Sequence, residues 1–401
     1  MNFELTEEEI QFTDTFRKFC AKEIGANAAE IDEAGSIPLS HYKKLGEVGY
    51  NGLLHERAYG GQEASIFQAT LAQVILAEYC GSTFFSVGAS SGLFGGPVSE
   101  NGTPEQKSKY LPPVIKGEKI GALAVTEPGA GTDVSALITT AKEMGGEIIL
   151  NGQKTYITNA PVCDFSLVLA RYVDSTGKDQ GLTHFIVDSD LKGVTKGKPM
   201  RKMGLRASPT GELFFEDVKL KKESILGKPG AGFRVTMQAF NNERLALAAY
   251  STGVMAACLE DTRRYSRQRK SFGKIISKHQ SVAFHMANIL TKYEASKLLL
   301  LETAALMDRA KNEPGSGRGK LKHNGYPIDI TARAAEAKLL ASTYAREVTN
   351  LAVQVHGGAG YMEEFRVARM YRDIKIAEIG GGTSEIQKQI IARAEMRRVS
   401  K

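Results

Sequence analysis

The chain's 401 residues are 42% hydrophobic and 24% charged, enough for two or three domains with cores of their own, and no uninterrupted apolar run approaches the roughly 18 to 20 residues that span a bilayer. Four cysteines, Cys20, Cys80, Cys163 and Cys258, lie far apart without CxxC spacing, which argues against a zinc site or a disulfide framework and fits a reducing cytoplasm. A net charge of +7 over this length is a solvated surface compatible with a phosphate-bearing ligand, and no basic stripe with interleaved aromatics points to nucleic acid.

Met1 leads almost directly into a helix with no targeting segment in view, so the mature chain is expected to start here. Thr6 and Glu9 have capping-box spacing ahead of Ile10, Phe12, Phe16 and Phe19. Helical periodicity continues to about residue 120, with Phe67, Leu71, Val74 and Ile75 supplying most of an apolar face over 66–79. Gly92, Gly95, Gly96 and Pro97 break one segment, and Pro112-Pro113 the next. Residues 1–120 therefore read as a helical domain.

From 121 to 231 the texture changes to short β-rich runs at 148–150, 155–158, 166–172, 183–187 and 212–220, with Asn151-Gly152 as a hairpin signal. Helices do not alternate with these runs, so a small antiparallel sandwich or barrel is expected rather than a parallel nucleotide-binding sheet. Residues 232–401 return to helices: a run toward Arg269, then 281–310, 330–355 and a last one after Ser384. Val282, Met286, Ile289 and Tyr293 recur on one face of a buried helix, and the set reads as a four-helix bundle. Residues 312–327, rich in Gly, Pro, Lys and Arg, read as an exposed basic connector. The fold class is α+β: helical domain, β domain, helical bundle.

Within the last region, Glu378-Ile379-Gly380-Gly381-Gly382-Thr383-Ser384-Glu385-Ile386-Gln387 places three glycines before a helix. Their backbone can take positive φ and be approached closely, and Ser384 and Gln387 have capping-box spacing. Unpaired N–H groups at that helix start would attract an electron-rich oxygen. Taken alone, the stretch is equally a plain glycine-rich loop.

Other stretches decide the matter. They are Ala124-Val125-Thr126-Glu127-Pro128-Gly129-Ala130-Gly131-Thr132-Asp133, Thr155-Tyr156-Ile157-Thr158-Asn159, Arg269-Lys270-Ser271-Phe272-Gly273 and Gln354-Val355-His356-Gly357-Gly358-Ala359-Gly360-Tyr361, the last followed by Arg369, Arg372 and Asp373. In this order and domain context they resemble the acyl-CoA dehydrogenase family along the whole chain. The resemblance implies FAD, with Thr126 bonding the isoalloxazine, Thr132 a phosphate, and Gly131, Thr383 and Glu385 belonging to the same cofactor site. It sets Tyr156, where many members carry tryptophan, and Thr158 against the far face of the flavin, Thr158 within reach of N5. It has Arg269 and Phe272 reach a neighbouring subunit's cofactor and Gln354 and Gly358 contact its adenosine portion, which implies a homotetramer. His356 acquires no chemical role from it.

Many members carry the catalytic glutamate immediately before the Gly-Thr of the glycine stretch, a position that here is Gly381. A smaller branch, with isovaleryl-CoA and long-chain enzymes, carries it in a Glu-Arg-Leu sequence at a helix start, and this chain has Asn241-Asn242-Glu243-Arg244-Leu245. By this resemblance Glu243 is the expected base and Arg244 a substrate-binding residue. The Gly381 amide and a ribityl hydroxyl of FAD would hold the thioester carbonyl. The implied activity converts an acyl-CoA to a trans-2-enoyl-CoA and passes electrons to an electron-transferring flavoprotein, with no metal and no membrane. The rivals are flavin oxygenation on the same fold, dehydrogenation of a ring-bearing acyl thioester, and an idle relative that binds nucleic acid. Tyr156 and the basic 312–327 insertion depart from the family pattern. Acyl length and branching stay open, and the small-residue stretch 87–94 is read as part of the pocket floor.

Overall fold

Residues 4–312, 321–323 and 326–399 are described by a computed structural model. Among the described residues the first region has seven α-helices: α1 (Glu7–Cys20), α2 (Ala28–Ala34), α3 (Ser40–Glu47), α4 (Ile66–Tyr79), α5 (Gly81–Gly88), α6 (Gly95–Asn101) and α7 (Pro104–Ile115). Three of them start on reciprocal capping boxes, in which Thr6, Ser65 and Thr103 accept from the N–H groups of Glu9, Gln68 and Gln106 and are bonded back by those side chains. α4 buries more than the one face expected, because it is wedged between α1 and a long helix of the last region. Pro112-Pro113 does not end its segment: both prolines sit inside α7, which runs on to Ile115. The glycines at 92–96 likewise fall in a π turn (Ala89–Phe94) and the start of α6 instead of a loop.

The second region holds β1 (Gly121–Ala124), β2 (Thr140–Met144), β3 (Glu147–Thr158), β4 (Phe165–Val173), β5 (Asp179–Asp188), β6 (Val194–Lys196), β7 (Thr210–Leu220) and β8 (Ile225–Leu226). They form one eight-stranded sheet in the order β6-β7-β3-β2-β4-β5-β8, with β1 also paired to β4. The expectation of a purely antiparallel domain is corrected here, because β1 and β2 both run parallel to β4. Each is joined to β4 through intervening chain long enough to bring the backbone round in the same direction. Asn151-Gly152 is not a hairpin turn either. It lies inside β3, where Gly152 (φ 149°) marks a register shift. The turn between β2 and β3 is Gly145-Gly146, at φ 60° and 85°, the left-handed pair that suits a tight hairpin.

β1 and β2 take successive stretches of β4, residues 165–168 and then 171–173. The intervening segment, which carries the Thr126 to Asp133 motif, therefore leaves the sheet where one pairing ends and the next begins.

The third region contains α8 (Gly232–Gln268), the hairpin β9 (Lys270–Ser271) and β10 (Lys274–Ile275), α9 (Gln280–Asn312), the pair β11 (Leu321–His323) and β12 (Tyr326–Ile328), α10 (Ile330–His356), α11 (Arg366–Asp373) and α12 (Ser384–Val399). α8, α9 and α10 pack on one another, α12 packs on α10, and α4 lies against α8 and α9. The expected buried face of α9 is corrected: only Ile289 is buried, Val282, Met286 and Tyr293 are half-buried, and Phe284, Leu290 and Leu298 are exposed. Most of the 312–327 connector lies outside the described residues, but 321–323 and 326–328 form an antiparallel pair and not a bare loop. Among the described residues no helix is long and apolar enough to cross a membrane.

Candidate active site

Glu243 stands about three turns into α8, which begins at Gly232, and not at a helix start as expected. The helix dipole, which acts within the first turn, therefore leaves its carboxyl alone. Burial pushes that carboxyl up to about 7, against the opposing pull of Arg244 and Lys338. No protein hydrogen bond to it is found among the described residues, so its oxygens are available to a ligand.

The glycine loop lies directly against it. Gly381 and Gly382 take φ of 62° and 89°, as only glycine does easily. A Cβ built on Gly381 would fall 2.7 Å from Leu247 Cδ1 and 3.4 Å from Glu243 Cδ. The carboxyl of Glu243 thus occupies the space a side chain from position 381 would enter.

Two side chains hold the loop by its carbonyls. Lys338 Nζ donates to Gly382 O at 2.8 Å, and Gln387 Nε2 donates to Gly382 O at 2.7 Å and Gly381 O at 3.1 Å. The expected Ser384/Gln387 capping box is not formed. Ser384 is already the first residue of α12, and Thr383 O accepts the Gln387 N–H. Lys338 is fully buried, and burial draws its ammonium down to about 8 while Glu243 offsets part of that. Sequence reasoning missed it, although a lone lysine among Ala334, Ala335, Ala337 and Ala341 was a visible signal.

Glu243 and Leu247 line a cavity of about 820 Å³, together with Phe85, Gln73, Glu100 and Met307. Gly88, Ala89, Ser91, Gly92 and Leu93 are in the same wall, as the small-residue stretch suggested. Arg244, expected to touch substrate, is buried and absent from that wall. It donates to Asn241 Oδ1, and its Nε lacks a protein partner.

A second group of expected residues gathers on the β domain. The Thr155 N–H donates to Thr126 O at 2.9 Å and so joins the first two motifs. Beneath them lies a buried ion pair that sequence reasoning missed: Lys154 Nζ sits 2.8 Å from Glu127 Oε1 and 3.0 Å from Val125 O. Glu127 also accepts from the N–H groups of Ile138 (2.7 Å) and Thr139 (3.0 Å), which closes the motif segment on itself. Burial would raise the Glu127 carboxyl, but those N–H groups and Lys154 hold it below its usual range. Asn159 ties the second motif to the helical domain by donating to Ser86 O (2.8 Å) and accepting from the Tyr42 hydroxyl (2.9 Å), and to β1 by donating to Gly121 O (3.1 Å).

This framework presents open donors. Gly131 has no atom within 4 Å of a built Cβ, and Thr132 beside it is exposed. Tyr156 takes φ 58° at a register shift of β3, which leaves its ring 70% exposed. Thr158 is half-buried at the end of the strand, paired with Thr210. Amide and hydroxyl donors on an approachable loop beside an unpacked aromatic fit the ring edge and pyrophosphate of FAD. Thr383 and Glu385 lie instead at the start of α12, beside the glycine loop.

Arg269, Phe272, Gln354 and Gly358 share no hydrogen bond with the Thr126–Thr158 group among the described residues. Phe272 caps the β9–β10 turn at φ 49° and is 94% exposed. Gln354 is in the last turn of α10, and Gly358 is exposed in the 3-10 turn (Gly357–Tyr361) after it. His356 is structural, its Nδ1 2.7 Å from Ala352 O and its ring stacked on Tyr265 with centroids 4.3 Å apart. No cluster of metal-ligating side chains occurs among the described residues.

Family models match nearly the whole chain: "Acyl-CoA dehydrogenase, N-terminal domain" over residues 6–118, the middle domain over 122–218 and the C-terminal domain over 230–396. The chain is 38% identical over 392 residues to the short-chain specific acyl-CoA dehydrogenase of Clostridium acetobutylicum, covering 98% of this chain and 99% of that protein. It is 37% identical over 377 residues to caffeyl-CoA reductase-Etf complex subunit CarC of Acetobacterium woodii, covering 94% and 95%. Among solved structures, butyryl-CoA dehydrogenase from Megasphaera elsdenii superposes with a TM-score of 0.89 at 35% identity, covering 99% and 100%.

Proposed function

This chain belongs to the acyl-CoA dehydrogenase family, and on that premise we propose that Glu243 is the base that removes the α-proton of the acyl-CoA. The protein is an FAD-dependent oxidoreductase acting on acyl-CoA thioesters. FAD, when bound, supplies the acceptor for the β-hydride. Everything else in the step falls to the chain's own side chains and amides.

One observation carries the assignment of the base. The space that a glutamate at position 381 would enter is already held by the Glu243 carboxyl, 3.4 Å from where the Cβ would be. We therefore read the Glu-Arg-Leu arrangement of the isovaleryl-CoA and long-chain branch in a chain whose relatives include short-chain and butyryl-CoA enzymes. A carboxyl held near 7 takes a proton readily at neutral pH without being locked in its ionised form. The Gly381 N–H would donate to the thioester carbonyl and stabilise the enolate-like charge as the proton leaves. We assign Arg244 to balancing the base's charge from behind the cavity wall. Thr126, Gly131, Thr132, Tyr156, Thr158, Thr383 and Glu385 would hold FAD.

Arg269, Phe272, Gln354 and Gly358 would complete the FAD site of a neighbouring subunit in a homotetramer. The exposure of Phe272, and of Phe284, Leu290 and Leu298 on α9, supports that assembly. CarC belongs by name to an Etf complex, and on that likeness an electron-transferring flavoprotein is the proposed acceptor.

The test is anaerobic titration of the holoenzyme with straight, branched and cyclic acyl-CoAs, following the oxidised flavin absorbance. Wild type should bleach with one class. Glu243→Gln should keep FAD and bind the same acyl-CoA, but reduce it about 100-fold to 10,000-fold more slowly or worse. Reduction at the wild-type rate would remove Glu243 from the mechanism.

A further inference from the structure

We propose that Lys338 is a positioning residue for the proton transfer, holding the glycine loop in register with Glu243 and setting its own positive charge against that carboxylate. The proposal rests on the reading of Glu243 as the base.

Lys338 lies on the buried, alanine-lined side of α10, with no exposed surface. Packing alone would be served there by leucine or methionine, without the desolvation that an ammonium suffers. Among the described residues its one hydrogen-bond acceptor is Gly382 O, at 2.8 Å. The lysine is therefore committed to the glycine loop.

Peptide geometry turns that bond into control of the loop's amides. In a planar trans peptide the C=O and the following N–H point in opposite directions. Lys338 and Gln387 draw the carbonyls of Gly381 and Gly382 toward α10 and α12. The N–H groups of Gly382 and Thr383 are consequently directed the other way. With both of these peptide planes held, the chain just after Gly381 cannot turn over without breaking at least one of three hydrogen bonds, and Gly381, whose N–H is the proposed donor, is anchored from its C-terminal side where it lies against Glu243.

The charge has a second effect. Four ionisable groups act on Lys338: Glu243 and Arg244 on α8, Glu378 ahead of the loop and Glu385 on α12. Arg244 opposes its positive charge and the three carboxylates favour it. Lys338 and Arg244 are in turn the two cations that act on Glu243. Removing either should make the ionised base harder to keep.

The experiment compares Lys338→Met with Gln387→Met in the FAD-loaded enzyme. The first removes the loop tie and the cation, the second a tie only. Lys338→Gln, which can still donate a hydrogen bond but has no charge, gives the same answer should methionine prevent folding. The rate of flavin reduction is measured against pH. Independently of turnover, the Glu243 carboxyl is titrated by infrared difference against a matching Glu243→Gln protein.

Both Lys338 variants should move the acid limb of the rate profile and the infrared midpoint to higher pH. With the carboxyl starting at about 7, a shift of one unit lowers the ionised fraction, and the rate at neutral pH with it, about fivefold. Gln387→Met should slow reduction without moving either. Midpoints unchanged in the Lys338 variants, or moved equally by Gln387→Met, would overturn the proposal. Glu243→Gln measured alongside separates the failures: if it reduces flavin normally, the base assignment falls; if it is dead and the Lys338 midpoints stay put, only this inference falls.

Discussion

Replacing Glu243 by glutamine should make the protein more stable above neutral pH while leaving its stability in acid unchanged. Burial raises the Glu243 carboxyl to about 7 in the folded chain, whereas an unfolded glutamate titrates near 4.3. Between those values the folded state holds a proton that the unfolded state has released, so stability falls as pH rises through that window. Below about pH 4 both states are protonated and the residue adds no penalty. Above about 7 both are ionised and the full penalty applies. A gap of roughly 2.7 units is worth on the order of 3 to 4 kcal/mol. Glutamine keeps the shape and has no charge to bury, so it should recover most of that. For about 400 residues unfolding together, this is roughly 3 to 4 °C in Tm. The assay is denaturant or thermal unfolding of both holoenzymes at one protein concentration from pH 4 to 9. The reasoning is refuted if the difference does not depend on pH, or if the variant is the less stable protein at pH 8.

Two further outcomes follow from the geometry. Gly381→Ala forces a Cβ into a left-handed position 2.7 Å from Leu247 Cδ1; it should strain the loop by about 1 to 2 kcal/mol and slow flavin reduction at least tenfold with FAD retained, as stopped-flow absorbance would show. Glu127→Gln strands the buried Lys154 ammonium and should cost about 3 to 5 kcal/mol and lower FAD occupancy, with Glu127→Gln/Lys154→Met recovering part of the stability, measured by unfolding and by the ratio of flavin to protein absorbance.

What could be read in the sequence is what local chemistry writes. The capping side chain of Thr6 and the positive φ of the glycine stretch need only near neighbours. Lys154–Glu127 and Lys338–Gly382 join residues 27 and 44 apart in the chain, and no local pattern links them. Strand direction was hidden for the same reason, since the residues of β2 do not record that β4 runs parallel to them. Gly152 misled because a glycine with positive φ serves a bulge inside a strand as readily as a turn. The periodicity of α9 marked an apolar helix, but a face that packs on the core and one left exposed carry the same residue types. Glu243 was placed at a helix start because its short motif says nothing of where α8 begins.

The two halves of the site share one construction. In each, a segment that must offer backbone donors to a ligand is rich in glycine, and glycine loses more conformational freedom on ordering than any other residue. In each, a fully buried lysine reaches from a neighbouring element to a carbonyl of that segment: Lys154 of β3 to Val125 O, and Lys338 of α10 to Gly382 O. Binding the carbonyl side stiffens the segment without occupying the N–H side that a cofactor or thioester needs. The difference lies in the balancing charge. Lys154 is neutralised by Glu127, which serves as a brace, whereas Lys338 acts electrostatically on Glu243, the proposed base, whose charge would change during the reaction. A brace between fixed charges need only persist, but a cation beside a carboxyl that gains and loses a proton also tunes it. That is why a substitution at Lys154 should appear first as lost FAD, and one at Lys338 first as a shifted pH profile.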